Sequence, residues 1–265
     1  MERREFLKYM GASSVVLGLT SNLWAGGSKR CKEEVCREAW TKLCDYRIKE
    51  AAYAYVHPQK RLPNVFLYGD SISIGYTLKV REQLQGKANV FRTYRNGGAT
   101  QNFIPGMEKM KKAMFQPYLK NGWDFKWDVI HFNVGLHDLK YMSKGKLDKE
   151  NGKQVSSIEG YKEKLDEICT YLMKEFPTAT LIFATTTPVP QGAAGRLAGD
   201  SVKYNKAALD VLAKYPSIMI NDLYAFTKPN FNEWCIEPGN VHYNETGKKA
   251  QGKEVARIIA ENLYN

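Results

Sequence analysis

Short apolar runs rich in β-branched and aromatic residues alternate along this chain with longer segments whose apolar positions recur at helical spacing. The runs Val65–Tyr68, Asn89–Thr93, Val129–Val134, Leu181–Thr185 and Ile218–Ile220 read as strands. Helices are expected over roughly 76–85, 101–119, 158–175, 200–214 and 245–263. Val129-Ile130 and Leu181-Ile182-Phe183 show no polar alternation, as expected of strands buried on both faces. Alternating strands and helices predict an α/β fold with a parallel sheet covered on both sides.

Upstream, Val35, Ala39, Leu43 and Ile48 recur among charges and predict a helix within 31–56 that packs on the domain. His57-Pro58 ends it. Two polar stretches, 143–157 and 186–199, read as loops at the open edge of the sheet. The second holds Pro188, Pro190, Gly192, Gly195 and Gly199.

The first residues have a different pattern. Arg3-Arg4 precedes Phe6-Leu7-Lys8, a mildly apolar stretch from Tyr9 to Trp24 follows, and Ala25 supplies a small residue at a cleavage point. This resembles a bacterial twin-arginine export signal, so 1–25 is set apart from the fold and a periplasmic or otherwise exported location is expected. The stretch is too short and polar for a stable membrane span. The division expected is 1–25 export signal, 26–61 helical extension and 62–265 main domain.

The chain has 265 residues and 43% apolar residues, enough for one sizeable core. Its formal charge is +11. The signal segment, with Arg3, Arg4 and Lys8 against Glu2 and Glu5, accounts for +1 and leaves +10. Such an excess suits an acidic polymer, but the lysines are scattered. Even the densest cluster, Lys109, Lys111 and Lys112, reads as the wet face of a helix. No nucleic-acid-binding motif is present. Cys31, Cys36, Cys44, Cys169 and Cys235 form no C-x-x-C, and the four histidines are dispersed, so no zinc site is expected. With five cysteines, the disulfide connectivity stays open.

Four segments carry chemistry. Gly69-Asp70-Ser71 follows the first strand, and a hydroxyl there stands at the carboxyl edge of the sheet, where open α/β sheets bind ligands. Asn96-Gly97-Gly98-Ala99-Thr100 follows the second strand. Gly135-Leu136-His137-Asp138 follows the third, and Val241-His242-Tyr243 precedes the final helix. A serine and a histidine brought together by folding can transfer acyl groups.

In order and spacing these blocks resemble the SGNH (GDSL-type) hydrolases, from about residue 62 to about 263. The resemblance implies a flavodoxin-like three-layer α/β/α sandwich. It implies Ser71 as nucleophile, His242 as base, and an oxyanion hole from Ser71, Gly98 and the third block. No metal and no organic cofactor is implied. Two blocks depart from the family pattern. The family's Gly-x-Asn-Asp has His137 in place of Asn; a neutral imidazole can still donate one N–H. The family's Asp-x-x-His has Gly239 in place of Asp. Glu237, Asn240 or a backbone carbonyl is left to orient His242, and a Ser–His dyad is an equal alternative.

The expected activity is that of an exported serine esterase on a small-molecule or glycan ester, with an O-acylated carbohydrate the favoured substrate. Acyl transfer to a sugar hydroxyl is one alternative. A non-catalytic glycan-binding protein on the same fold is the other.

Overall fold

The computed structural model describes residues 32–263. The export segment expected over 1–25, and Cys31, lie outside the described residues.

Five strands form the central sheet: β1 (Asn64–Tyr68), β2 (Asn89–Arg92), β3 (Val129–Phe132), β7 (Thr180–Ala184) and β8 (Met219–Asn221). Their order is β2-β1-β3-β7-β8, and every pair is parallel. Between β3 and β7 lie three short strands of a separate sheet. Without them the order is the 2-1-3-4-5 of flavodoxin-like sheets. The strand expectations hold to within two residues at each end.

The helices are α1 (Lys32–Cys44), α2 (Ser71–Gln83), α3 (Phe103–Met114), α4 (Ile158–Glu175), α5 (Asp200–Leu212), α6 (Leu223–Thr227), α7 (Phe231–Trp234) and α8 (Glu245–Ala260). Adjacent strand residues point to opposite faces, which identifies the layers. On β3, His131 meets Tyr76 of α2, whereas Phe132 meets Phe103 of α3. α8 packs with α2 on the first face; α4 and α5 extend the layer of α3 on the second. The result is the expected α/β/α sandwich, with Val65, Phe66, Val129, Ile130, Ile182 and Phe183 sealed inside.

The expected 31–56 helix is shorter in the structure. α1 stops at Cys44 because Asp45 takes φ 54°, and two 3₁₀ turns, Asp45–Lys49 and Ala51–Tyr53, complete the segment. Its buried face is Cys36, Trp40 and Cys44, at strict four-residue spacing. The Trp40 indole donates to the Tyr53 carbonyl (2.7 Å), so helix and turns share the domain's core.

The expected polar loop 143–157 is also corrected. It holds part of a small antiparallel sheet: β4 (Tyr141–Ser143), β5 (Lys146–Leu147) and β6 (Lys153–Gln154), in the order β5-β4-β6. Lys144 and Gly145, both at positive φ (47° and 77°), make the two-residue turn that matches strand twist. The Tyr141 amide donates to Gly195 O (2.7 Å), tying this sheet to the 186–199 loop. The four described cysteines, Cys36, Cys44, Cys169 and Cys235, are free thiols.

Candidate active site

β1 is flanked on both sides by parallel partners, so the turn that leaves it is held rigidly. Gly69 and Asp70 make that turn. The Asp70 carboxylate accepts from the Ile72 amide (2.9 Å) and caps α2, whose first residue is Ser71. The helix thus starts at the serine, not near residue 76 as the sequence spacing suggested. A hydroxyl at the first turn of a helix sits in the field that favours developing negative charge. Ser73 is a structural part of the turn. Its hydroxyl donates to Asp70 O (2.8 Å) and accepts from Arg92 Nη2 (3.3 Å). Arg92 is fully buried with its guanidinium 4.5 Å from the Tyr53 ring. Sequence reasoning passed over this arginine, which reads in β2 as an ordinary polar strand residue.

His242 lies on the far side of the chain in sequence and beside Ser71 in space. The Cys235–Tyr243 bridge and the Ile236 amide on His242 O (3.1 Å) hold its segment against the residues before it. The ring Nε2 is 2.9 Å from Ser71 Oγ. The other ring nitrogen, Nδ1, is 2.9 Å from Asn240 Oδ1, and the backbone amide of His242 reaches that same oxygen at 3.0 Å. One carbonyl oxygen receiving both N–H groups assigns the imidazole proton to Nδ1. Nε2 is then free to accept from the serine hydroxyl. The Asn240 amide in turn donates to Glu237 Oε1 (3.0 Å). Gly239 adopts φ 78° with its Cα turned toward Gly192, so the position that holds Asp in the family is a left-handed bend. Burial depresses the pKa of His242 below the ordinary histidine value. The nearby Asp70 charge opposes that effect, and the Arg196 and Lys248 charges reinforce it.

The second and third blocks form the adjacent wall. Gly98 has φ 67°, a left-handed conformation that favours glycine, and a Cβ there would also push the Asn102 amide aside. Its amide donates to Asn96 Oδ1 (3.0 Å). Asp138 joins the two blocks. Its buried carboxylate accepts from the Thr100 hydroxyl (2.6 Å), the Thr100 amide (3.1 Å) and the Ser156 hydroxyl (2.8 Å). This brace spans three separate loops and is invisible in a linear reading. His137 is half-buried beside it. Lys140 Nζ approaches His137 Nδ1 at 3.3 Å, which leaves the ring proton on Nε2. Burial pulls the pKa of His137 below the ordinary histidine value; the Asp70 charge opposes that, and the charges of Lys140, Arg196 and His242 reinforce it, which favours the neutral ring. Among the described residues no three His, Cys, Asp or Glu side chains are grouped to hold a metal ion.

The structure therefore brings Ser71, His242, Asn240 and Glu237 into one hydrogen-bonded chain. Gly98 and His137 lie on loops at the same sheet edge.

No family model matches the sequence, and no curated protein matches it. Solved structures do. A putative GDSL-like lipase from Parabacteroides merdae shares 14% identity at TM-score 0.57, over 78% of this chain and 99% of its own. An acetyl xylan esterase shares 16% identity at TM-score 0.55, over 74% and 99%. The catalytic domain of a peptidoglycan O-acetyltransferase from Streptococcus pneumoniae, with a methylsulfonyl adduct, shares 17% at TM-score 0.50, over 76% and 94%. Together with the sheet order, these neighbours define the fold as that of the SGNH hydrolases.

Proposed function

We propose that this protein is a serine esterase of SGNH type that works through a covalent acyl-enzyme. The carrying observation is the 2.9 Å contact between Ser71 Oγ and His242 Nε2, with the opposite ring nitrogen engaged by Asn240. Ser71 Oγ attacks the ester carbonyl carbon as His242 Nε2 takes its proton. The carbonyl oxygen becomes an oxyanion, met by the Ser71 amide at the start of α2 and by the Nε2–H of neutral His137. The Gly98 amide joins them once it exchanges Asn96 Oδ1 for the substrate oxygen. His242 then protonates the departing alcohol. Water enters, gives its proton to His242, and attacks the acyl carbon; the acid leaves and Ser71 is restored.

Asn240 carries no charge, so it holds the tautomer and ring orientation without stabilising imidazolium as a carboxylate does. That argues for a slower catalyst than one with a full triad, not for an inactive one. The intact Ser71–His242 contact speaks against a purely glycan-binding role.

The substrate class we favour is an O-acylated carbohydrate. An acetyl xylan esterase among the structural neighbours supports this choice. Acyl transfer to a sugar hydroxyl is the second reading, because one neighbour is an O-acetyltransferase domain. Export on the Arg3-Arg4 signal belongs to the same proposal. It is consistent with the described residues, which hold no helix long and apolar enough to cross a membrane. The test of function is acetate release from acetylated oligosaccharides by wild type and Ser71→Ala, with and without a sugar acceptor. Release that depends on Ser71 supports hydrolysis. Acetylated acceptor with little free acetate selects transfer.

A further inference from the structure

Arg196 is 9% exposed, yet no carboxylate stands within ion-pair distance of it among the described residues. Its Nε donates to Leu136 O (3.1 Å), the carbonyl just before His137, and Nη1 makes a long contact with Ala194 O (3.5 Å). Nη2 has no hydrogen-bond partner there and is not sealed from solvent. Two backbone carbonyls thus aim the guanidinium beside the third block and leave one edge of its fork open. Leaving a buried guanidinium without an anion is costly.

A second cation stands next to it. Lys140 Nζ has one hydrogen-bond contact among the described residues, His137 Nδ1, and makes no ion pair, although the charge of Asp138, already braced by Thr100 and Ser156, acts on it. The charges of Arg196 and Lys140 disfavour each other, and both act on His137, while that of Arg196 also acts on His242. The carboxylate whose charge is felt at Arg196 is Asp70, which is 1% exposed beneath the turn before α2; its Oδ1 caps that helix, its Oδ2 has no hydrogen-bond partner among the described residues, and it makes no ion pair with Arg196. The surroundings repeat the sign. The segment 140–154 carries Lys140, Lys144, Lys146, Lys149 and Lys153 against Asp148 and Glu150, and the loop 186–199 has no acidic residue. The hydrogen bond from Tyr141 to Gly195 joins the two segments.

We propose that Arg196 and Lys140 form a carboxylate-binding subsite next to the Ser71–His242 pair, so that the ester taken is carried by an acidic sugar of the uronic acid type. A guanidinium with one open edge suits a planar carboxylate, and partial burial strengthens the contact. The inference rests on the serine esterase reading and narrows its substrate.

The test compares two esters that differ only in the carboxylate: a mono-O-acetylated methyl glucuronide and the corresponding methyl glucoside. Wild type should favour the glucuronide by about tenfold or more in kcat/KM, mainly through KM. The preference should shrink as salt rises. Arg196→Met should bring the ratio close to one, Arg196→Lys should keep part of it, and Lys140→Met should lower it. The ratio is formed within each protein, so a general loss of activity cancels. If Arg196→Met does not fold, Lys140→Met, at the less buried cation, carries the same comparison. A wild-type ratio near one, or a ratio unchanged in these variants, overturns the proposal. A second pair, 4-nitrophenyl hemisuccinate and 4-nitrophenyl butyrate, places the carboxylate on the acyl side. A charge preference confined to that pair overturns the acidic sugar. Binding of unacetylated methyl glucuronide to Ser71→Ala, followed by NMR, reads the subsite without catalysis. Arg196-dependent binding without any ester hydrolysis leaves the subsite standing and removes the esterase. Hydrolysis of neutral and acidic esters alike does the reverse.

Discussion

A single oxygen, Asn240 Oδ1, accepts both the backbone amide and the ring Nδ1–H of His242, at 3.0 and 2.9 Å. The residue two before the histidine thus engages the ring nitrogen, where the family pattern has an aspartate three before it. Gly239, just before Asn240, takes the left-handed conformation (φ 78°).

This relationship predicts opposite effects for two substitutions. Asn240→Ala frees the ring to rotate and take the wrong tautomer. It should lower kcat by roughly 10²-fold or more with little change in KM. Asn240→Asp keeps the geometry and adds a charge that stabilises imidazolium. It should raise turnover and raise the pKa of His242. Steady-state kinetics on a model acetyl ester measures both.

The pH profile follows from the sign of the His242 shift. The base must be neutral to accept the serine proton, and burial holds its pKa below the ordinary 6.5. Activity should therefore be full at neutral pH, and its acid limb should fall below pH 6.5. Asn240→Asp should move that limb upward. A kcat/KM profile between pH 4 and 8 gives both midpoints.

His137 is expected to serve as the donor that replaces the family's asparagine. With Lys140 at Nδ1, its Nε2–H is the free donor. His137→Ala should cost about 10²–10³ in kcat, with a smaller effect on KM. His137→Asn should recover part of the loss, since an amide N–H can take the same place. Unchanged turnover in His137→Ala would assign the hole to backbone donors.

Stability should depend on pH through a different histidine. His131 is fully buried in β3, its Nε2 accepts from Asn221 Nδ2 (3.2 Å), and burial pulls its pKa down to about 4. The unfolded chain takes up the proton near 6.5, and the folded one only near 4. Stability is therefore retained above pH 6.5 and is lost as pH falls between the two values, by about 3 kcal/mol in all. Thermal melts from pH 7.5 to 4 should show the decline, and His131→Leu should flatten it.

Much of this was legible in the sequence. The apolar run into Gly69-Asp70-Ser71 marked strand and turn, and it singled out Ser71 as the candidate nucleophile. The expectation of roughly 158–175 matches α4, whose apolar spacing is regular and which Ser157 caps in the structure. The start of α2 was not, since Gly75 and the exposed Leu78 weaken its amphipathic pattern. The small sheet escaped because strands of two or three residues carry no readable alternation. The Asp138 brace and the Arg196–Lys140 pair escaped for another reason. They join residues 18 to 56 positions apart, and only the folded loops put them together.

The central claim is that Ser71 is a nucleophile activated by His242. The most direct measurement is labelling of the purified protein with a fluorophosphonate, followed by mass spectrometry of its peptides. The account predicts one adduct, on Ser71, absent in Ser71→Ala and formed far more slowly in His242→Ala. A folded wild-type protein that takes no label, or takes it on another residue, would contradict it.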